Sequence, residues 1–213
     1  YDRPDQMGTP VYQQTKFSNF YGGPFSLSGA LDYKHKFRKK DEELSVDATY
    51  SKFSMKRQQD YYTFADSNIG GSTIPIAPTI EHAPGTGGNG TLTLWADYTD
   101  PLFTKNGKLG LGFKSTMYNF TSGNEPTIQT DTAINAPVVT NYSILSNYNY
   151  NQQTHAGYVN WSDQQGKFSY QAGVRLEDAI YDGNGEIANV TRKDTTFHNS
   201  FVNLFPSVFI AYQ

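Results

Sequence analysis

The sequence contains no cysteine, which excludes a disulfide framework and a thiolate metal centre alike. It has no apolar run approaching the roughly 18 residues of a membrane helix. That excludes a helical span but leaves a strand-built membrane wall open, because such a wall writes its signal in alternate residues. Charge is scarce: Asp, Glu, Lys and Arg make up 17% of the 213 residues, and the net charge is −3. A nucleic-acid partner, which requires a basic footprint, is therefore not expected. The first residues, Tyr1-Asp2-Arg3-Pro4-Asp5, carry no signal-peptide pattern, as expected of a mature chain or a piece of a longer one. What is plentiful is Tyr, Phe, Gly, Thr, Ser and Asn, with 16 Tyr, 14 Phe and 19 Gly. That composition favours strands over helices.

Thr91 to Tyr118 organises the rest. Two alternating runs flank Asn106-Gly107, the pair that most readily takes φ > 0 at both central positions of a two-residue hairpin turn. With these as the loop residues, Lys105 faces Lys108, Thr104 faces Leu109 and Leu102 faces Leu111. Residues opposite one another in an antiparallel pair share a face. Leu92, Leu94, Ala96, Tyr98, Leu102, Leu109, Leu111, Phe113 and Met117 then make one greasy face. Trp95, Asp97, Gly112, Lys114 and their neighbours make a polar one. A tilted membrane strand needs about 9–11 residues, apolar outward and polar inward.

The same alternation recurs. Ser26–Phe37 and Leu44–Ser51 flank a charged turn, Arg38–Glu42. Thr154–Trp161 and Phe168–Glu177 flank Gln164-Gln165-Gly166, and Phe201–Tyr212 is a last strand. In each hairpin the greasy faces agree across the turn. Residues 1–25, broken by Pro4, Pro10 and Pro24, read as a loop segment. Ala65–Gly90 and Thr121–Tyr148 read as long connections, and Asp182–Asn199 as a loop of moderate length. Short turns at one end and long connections at the other predict an up-and-down antiparallel meander of about seven strands, part of a transmembrane β-barrel.

In such a wall Asp32, Lys34, Asp47, Asp97, Lys114, Arg175 and Glu177 face the lumen. Tyr33, Phe37, Tyr50, Tyr98, Phe113 and Trp161 face lipid, with Tyr and Trp at the edges of the greasy band. His35, His82, His155 and His198 lack metal-ligand spacing. No pair of carboxylates is brought to a substrate cleft, so neither catalysis nor a cofactor is expected. A second reading keeps the alternation but makes the chain a soluble β-sandwich that binds carbohydrate through the loop aromatics Tyr142, Tyr148 and Tyr150. The two differ in whether the greasy face meets lipid or a second sheet.

Two blocks carry a family resemblance: Thr154-His-Ala-Gly-Tyr-Val-Asn-Trp161 with Phe168-Ser-Tyr-Gln-Ala-Gly-Val-Arg-Leu-Glu177, and Asn203-Leu-Phe-Pro-Ser-Val-Phe-Ile-Ala-Tyr212. They resemble barrel strands of TonB-dependent outer-membrane receptors, in the outer membrane protein β-barrel branch; residues 26–213 fit that domain. The resemblance implies location in a Gram-negative outer membrane, contact with its lipid, a plug domain, TonB as energy source and a barrel of about 22 strands. It implies uptake of a nutrient, siderophore or glycan. Seven strands are then a fragment of the wall.

Overall fold

A computed structural model describes residues 11–69, 72–102, 106–130, 137–140, 145–187 and 193–212. Its strands are β1 (Val11–Lys36), β2 (Glu43–Ile69), β3 (Ser72–Pro101), β4 (Lys108–Asn124), β5 (Thr127–Thr130), β6 (Val138–Thr140), β7 (Ser146–Gln165), β8 (Phe168–Ile187) and β9 (Lys193–Tyr212). Seven of them make one antiparallel sheet in the order β1-β2-β3-β4-β7-β8-β9, while the short β5 pairs with β3 and with β6. The sheet is an open meander.

The registers put apolar residues opposite apolar residues across the sheet. One row runs His35, Leu44, Tyr98, Leu111, Val159, Val174, Pro206. The next runs Tyr33, Val46, Ala96, Phe113, Gly157, Leu176, Leu204. Every register sum is such that like faces meet, because a slip of one residue would turn a whole strand over. The greasy side chains stay uncovered: Leu31 and Val208 are each 70% exposed and Val202 is 68% exposed. A sandwich would bury them against a second sheet. The described residues form one sheet, so the soluble-sandwich reading does not hold.

Of the expected loops, residues 121–124, 127–130, 138–140, 146–148, 182–187 and 193–199 are strand, and three further sequence expectations change. Residues 11–25 are strand, not loop: β1 pairs with β2 from Val11↔Asn68 to Lys36↔Glu43. Residues 1–10 lie outside the described residues. The described part of Ala65–Gly90 is strand, because β2 and β3 run on together as far as Ile69↔Ser72; residues 70–71 lie outside the described residues. Its prolines are tolerated for a local reason. Beyond Gly85 the far side of β3 has no β4 partner, and β5 covers only Thr79 to His82, so most missing N–H groups fall on an edge. Pro78 falls where the register shifts between Thr63 and Ala65, and a bulge absorbs it. The expected loop asymmetry is therefore in part an asymmetry of strand length.

The third change is at Asn106-Gly107. Leu111 pairs with Tyr98 rather than Leu102, a shift of four residues, and residues 102–107 make the connection. The Leu102 N–H donates to the Gly107 carbonyl at 2.9 Å. Lys105 and Thr104 lie outside the described residues. An even shift keeps every side chain on its face, so alternation alone does not choose between the two registers. The other turns are short. Asp41 takes φ 64° between Lys36 and Glu43, and Gly166 takes φ 62° in the two-residue link from β7 to β8.

Candidate functional site: the two faces of the wall

The polar face carries all seven predicted polar residues. Asp32 and Asp47 are direct partners across β1 and β2. Lys34 pairs with Glu43 at 2.5 Å. Arg175 holds Glu177 along β8, its Nη2 donating at 2.5 Å and its Nε at 3.1 Å. Asp97, Gly112 and Tyr158 share one row of β3, β4 and β7. With no side chain on Gly112, the Tyr158 phenol crosses β4, donates to the Asp97 carboxylate and accepts from Trp95 Nε1 at 3.0 Å. Lys114 sits 5.2 Å over the Trp95 ring, a cation–π contact. Asp97, Trp95, Tyr158 and Lys114 thus form one network, and Asp47, opposite Trp95 on β3 and opposite Asp32 on β1, borders it.

Farther from the short turns the same face becomes aromatic. Tyr118 meets Tyr150 edge-on at 6.1 Å, Phe120 meets Tyr148 at 6.0 Å, Tyr150 meets Phe197 at 6.3 Å and Tyr181 meets Phe201 at 6.1 Å. The ladder crosses β4, β7, β8 and β9. Burial among the rings pushes the Tyr150 hydroxyl pKa above its usual value. Beside it lies a groove of about 460 Å³ lined by Phe53, Arg57, Gly85, Gly87, Phe120 and Ser122, among others. The Arg57 side chain lies across Gly85, in space that a Cβ would fill.

The opposite face holds Tyr33, Phe37, Tyr50, Tyr98, Phe113 and Trp161. Phe37 packs edge-on against Tyr98 at 5.9 Å and against His35 at 4.6 Å. The Tyr98 hydroxyl donates to Glu42 at 2.6 Å. Phe37, Tyr98 and Trp161 stand near the short turns, while Tyr50 marks the other limit. There the row Tyr50, Leu92, Met117 gives way to Lys52, Gly90, Asn119, Asn151. Lys52 lies nine residue steps along β2 from Glu43. At about 3.3 Å per step and a tilt of about 40° this is a rise of roughly 23 Å, close to the roughly 25 Å apolar band of an outer-membrane barrel.

A family model described as the outer membrane protein beta-barrel family matches residues 35–213. The chain belongs to that family. It is an outer-membrane β-barrel protein of a Gram-negative bacterium, and its environment is membrane lipid. No curated protein matches it. Membership accounts for an open sheet with one uncovered greasy face, which water alone would drive to associate.

Several features of this family member escape sequence reading. Tyr148 and Tyr150 fall in strand β7 rather than in a loop; Tyr142 lies outside the described residues. The bridge from Tyr158 to Asp97 spans 61 positions and needs three strands in register. Ser115, 3% exposed on the apolar face, contacts His155 Nδ1 at 2.9 Å, which satisfies a polar pair amid greasy neighbours. Its signal was a break in apolar alternation at Ser115. His82 contacts Asp60 at 2.8 Å, and Gln58 donates to Asp60 at 3.2 Å. The His82 hydrogen bond holds the Asp60 carboxyl pKa below its ordinary value, with Gln58 adding to it against the opposing effect of burial. Among the described residues no group of three or more His, Cys, Asp or Glu could hold a metal ion.

Proposed function

We propose that this chain is part of the wall of a TonB-dependent outer-membrane receptor for nutrient uptake. Its apolar face meets lipid and its polar face lines the lumen. Strand ends beyond the Lys52 row stand outside the cell, and the short turns at 37–42, 102–107 and 166–167 stand in the periplasm. A plug domain fills the lumen against the Asp97, Arg175 and Glu177 wall, and TonB supplies the energy.

The observation that carries this reading is the ladder of Tyr118, Phe120, Tyr148, Tyr150 and Phe197. It continues the lumen face above the level at which the other face turns polar. Rings on a rigid sheet make a stacking platform, with Asn and Tyr groups at hand for hydrogen bonds. That surface suits a nutrient with flat or sugar-like faces, a glycan or a siderophore.

The test is uptake by cells carrying the full-length protein. Tyr148→Ala with Tyr150→Ala should lower uptake while leaving the barrel inserted at its normal level, and loss of TonB should abolish uptake. Uptake that persists without TonB, or that ignores both tyrosines, refutes the receptor reading.

A further inference from the structure

The apolar face has a polar sequel that the uptake reading does not use. Among the described residues Lys52 and Lys56 are the lysines on that face of the strands. Lys34, Lys36, Arg57, Lys108, Lys114 and Arg175 all fall on the other face by register. Neither Lys52 nor Lys56 makes an ion pair among the described residues. The carboxylate next along their own face of β2, Asp60, is engaged by His82 and Gln58.

Between the lysines lies a groove of about 280 Å³, lined by Lys52, Ser54, Lys56, Thr86, Asn119 and Thr121 among others. Its floor is low because Gly88 and Gly90 stand opposite Ser54 and Lys52. A Cβ at Gly88 would come within 2.8 Å of the Phe53 carbonyl oxygen, and one at Gly90 would land on the Asn119 amide. The groove sits on the first rows past the apolar band. Phe25 and Leu27, 58% and 54% exposed, flank it on β1, and Tyr50 and Met117 lie just below.

Together these features present cations and hydroxyls above a greasy wall. We propose that the groove binds a phosphate of a phosphorylated glycolipid of the outer leaflet. Lys52 and Lys56 take the phosphate oxygens by charge-assisted hydrogen bonds. Ser54, Thr86, Asn119 and Thr121, with Asn149 and Asn151 in register beside them, meet sugar hydroxyls. Phe25, Leu27, Tyr50 and Met117 meet the acyl chains. The polar rim selects a glycolipid over a simple phospholipid. This inference rests on the placement of the apolar face in lipid and of the Lys52 end outside the cell.

The experiment titrates lipopolysaccharide into the full-length protein held in nanodiscs of phosphatidylcholine. Lys52→Gln with Lys56→Gln should weaken binding by at least about tenfold, the scale of losing two charged hydrogen bonds. Lys52→Arg with Lys56→Arg should keep it, and Lys34→Gln on the other face should change nothing. Lipopolysaccharide stripped of its phosphates should bind the wild-type protein as weakly as the native lipid binds the glutamine variant, an arm that requires no variant to fold. Equal binding of the stripped lipid, or unchanged binding by the glutamine variant, overturns the proposal. Phosphatidylglycerol binding as tightly as lipopolysaccharide overturns the glycolipid assignment, and displacement by inorganic phosphate assigns the groove to a soluble anion instead. A receptor that takes up its nutrient normally yet ignores the phosphates refutes this inference and leaves the uptake reading standing.

Discussion

The Tyr158 hydroxyl reaches across β4 to the Asp97 carboxylate, over the bare backbone of Gly112. Three strands are tied by one side chain, and the tie exists only while position 112 has no side chain. Tyr158→Phe removes a hydrogen bond to a charged acceptor and leaves Asp97 without that donor, so it should cost about 1.5–3 kcal/mol. Gly112→Ala should cost a similar amount by pushing the phenol away from Asp97. Thermal unfolding of the detergent-solubilised protein measures both. The double variant should cost little more than either single one, because both break one contact; additive losses would show that Gly112 matters for some other reason.

Val174 and Gln171 lie three residues apart on opposite faces of β8. Along β8 Val174 stands about midway between Phe168, beside the short turn, and Asp182, which continues the Lys52 row. Arg there should cost roughly 2–4 kcal/mol of insertion stability, while Arg at Gln171 meets the lumen and should cost little. Folding into lipid vesicles, followed by urea titration, compares them. Equal losses would reverse the proposed roles of the faces.

Asp60 stands ten residues beyond Tyr50 on β2, outside the band. Its pKa is lowered in the folded chain, chiefly by the hydrogen bond to His82. The stability this gives is therefore fully present above the ordinary carboxyl value of 3.8 and is lost as the pH falls through the lowered value. Asp60→Asn should speed amide hydrogen exchange around residues 58–62 and 80–84 at about pH 7. Wild type and variant should converge at a pH below the lowered folded-state value, where Asp60 is protonated in both folded and unfolded chains. A difference that persists at that pH would place the effect in packing.

Topology can be read with single cysteines, since this sequence has none of its own. Asn106→Cys lies in a short turn and Val138→Cys in β6 beyond the end of β4; both residues are exposed. A membrane-impermeant thiol reagent added to intact cells should label position 138 and spare position 106. The opposite pattern would turn the protein over in the membrane.

The two faces were legible from alternation alone. Leu44, Val46, Ala48 and Tyr50 share a face with Leu92, Leu94, Ala96 and Tyr98 because strands have a side-chain period of two and short turns preserve parity. Residues 11–25 and 65–90 do not read as strand in the sequence because Pro and Gly are local punctuation. A proline at a ladder edge or a bulge costs a strand little, and only the neighbouring strand tells where the edge lies.

The sequence by itself determined the two faces and the barrel family, since each is written in a period of two or in contiguous residues. The tertiary structure alone decided the register at Asn106-Gly107, where a shift of four residues satisfies the same alternation. It alone decided that Tyr158 meets Asp97, that Tyr150 joins Tyr118 and Phe197, and that Lys52 and Lys56 border one groove. Such contacts depend on which residues stand abreast on different strands. That is fixed by the sum of pairings across the whole sheet, and no local stretch encodes it.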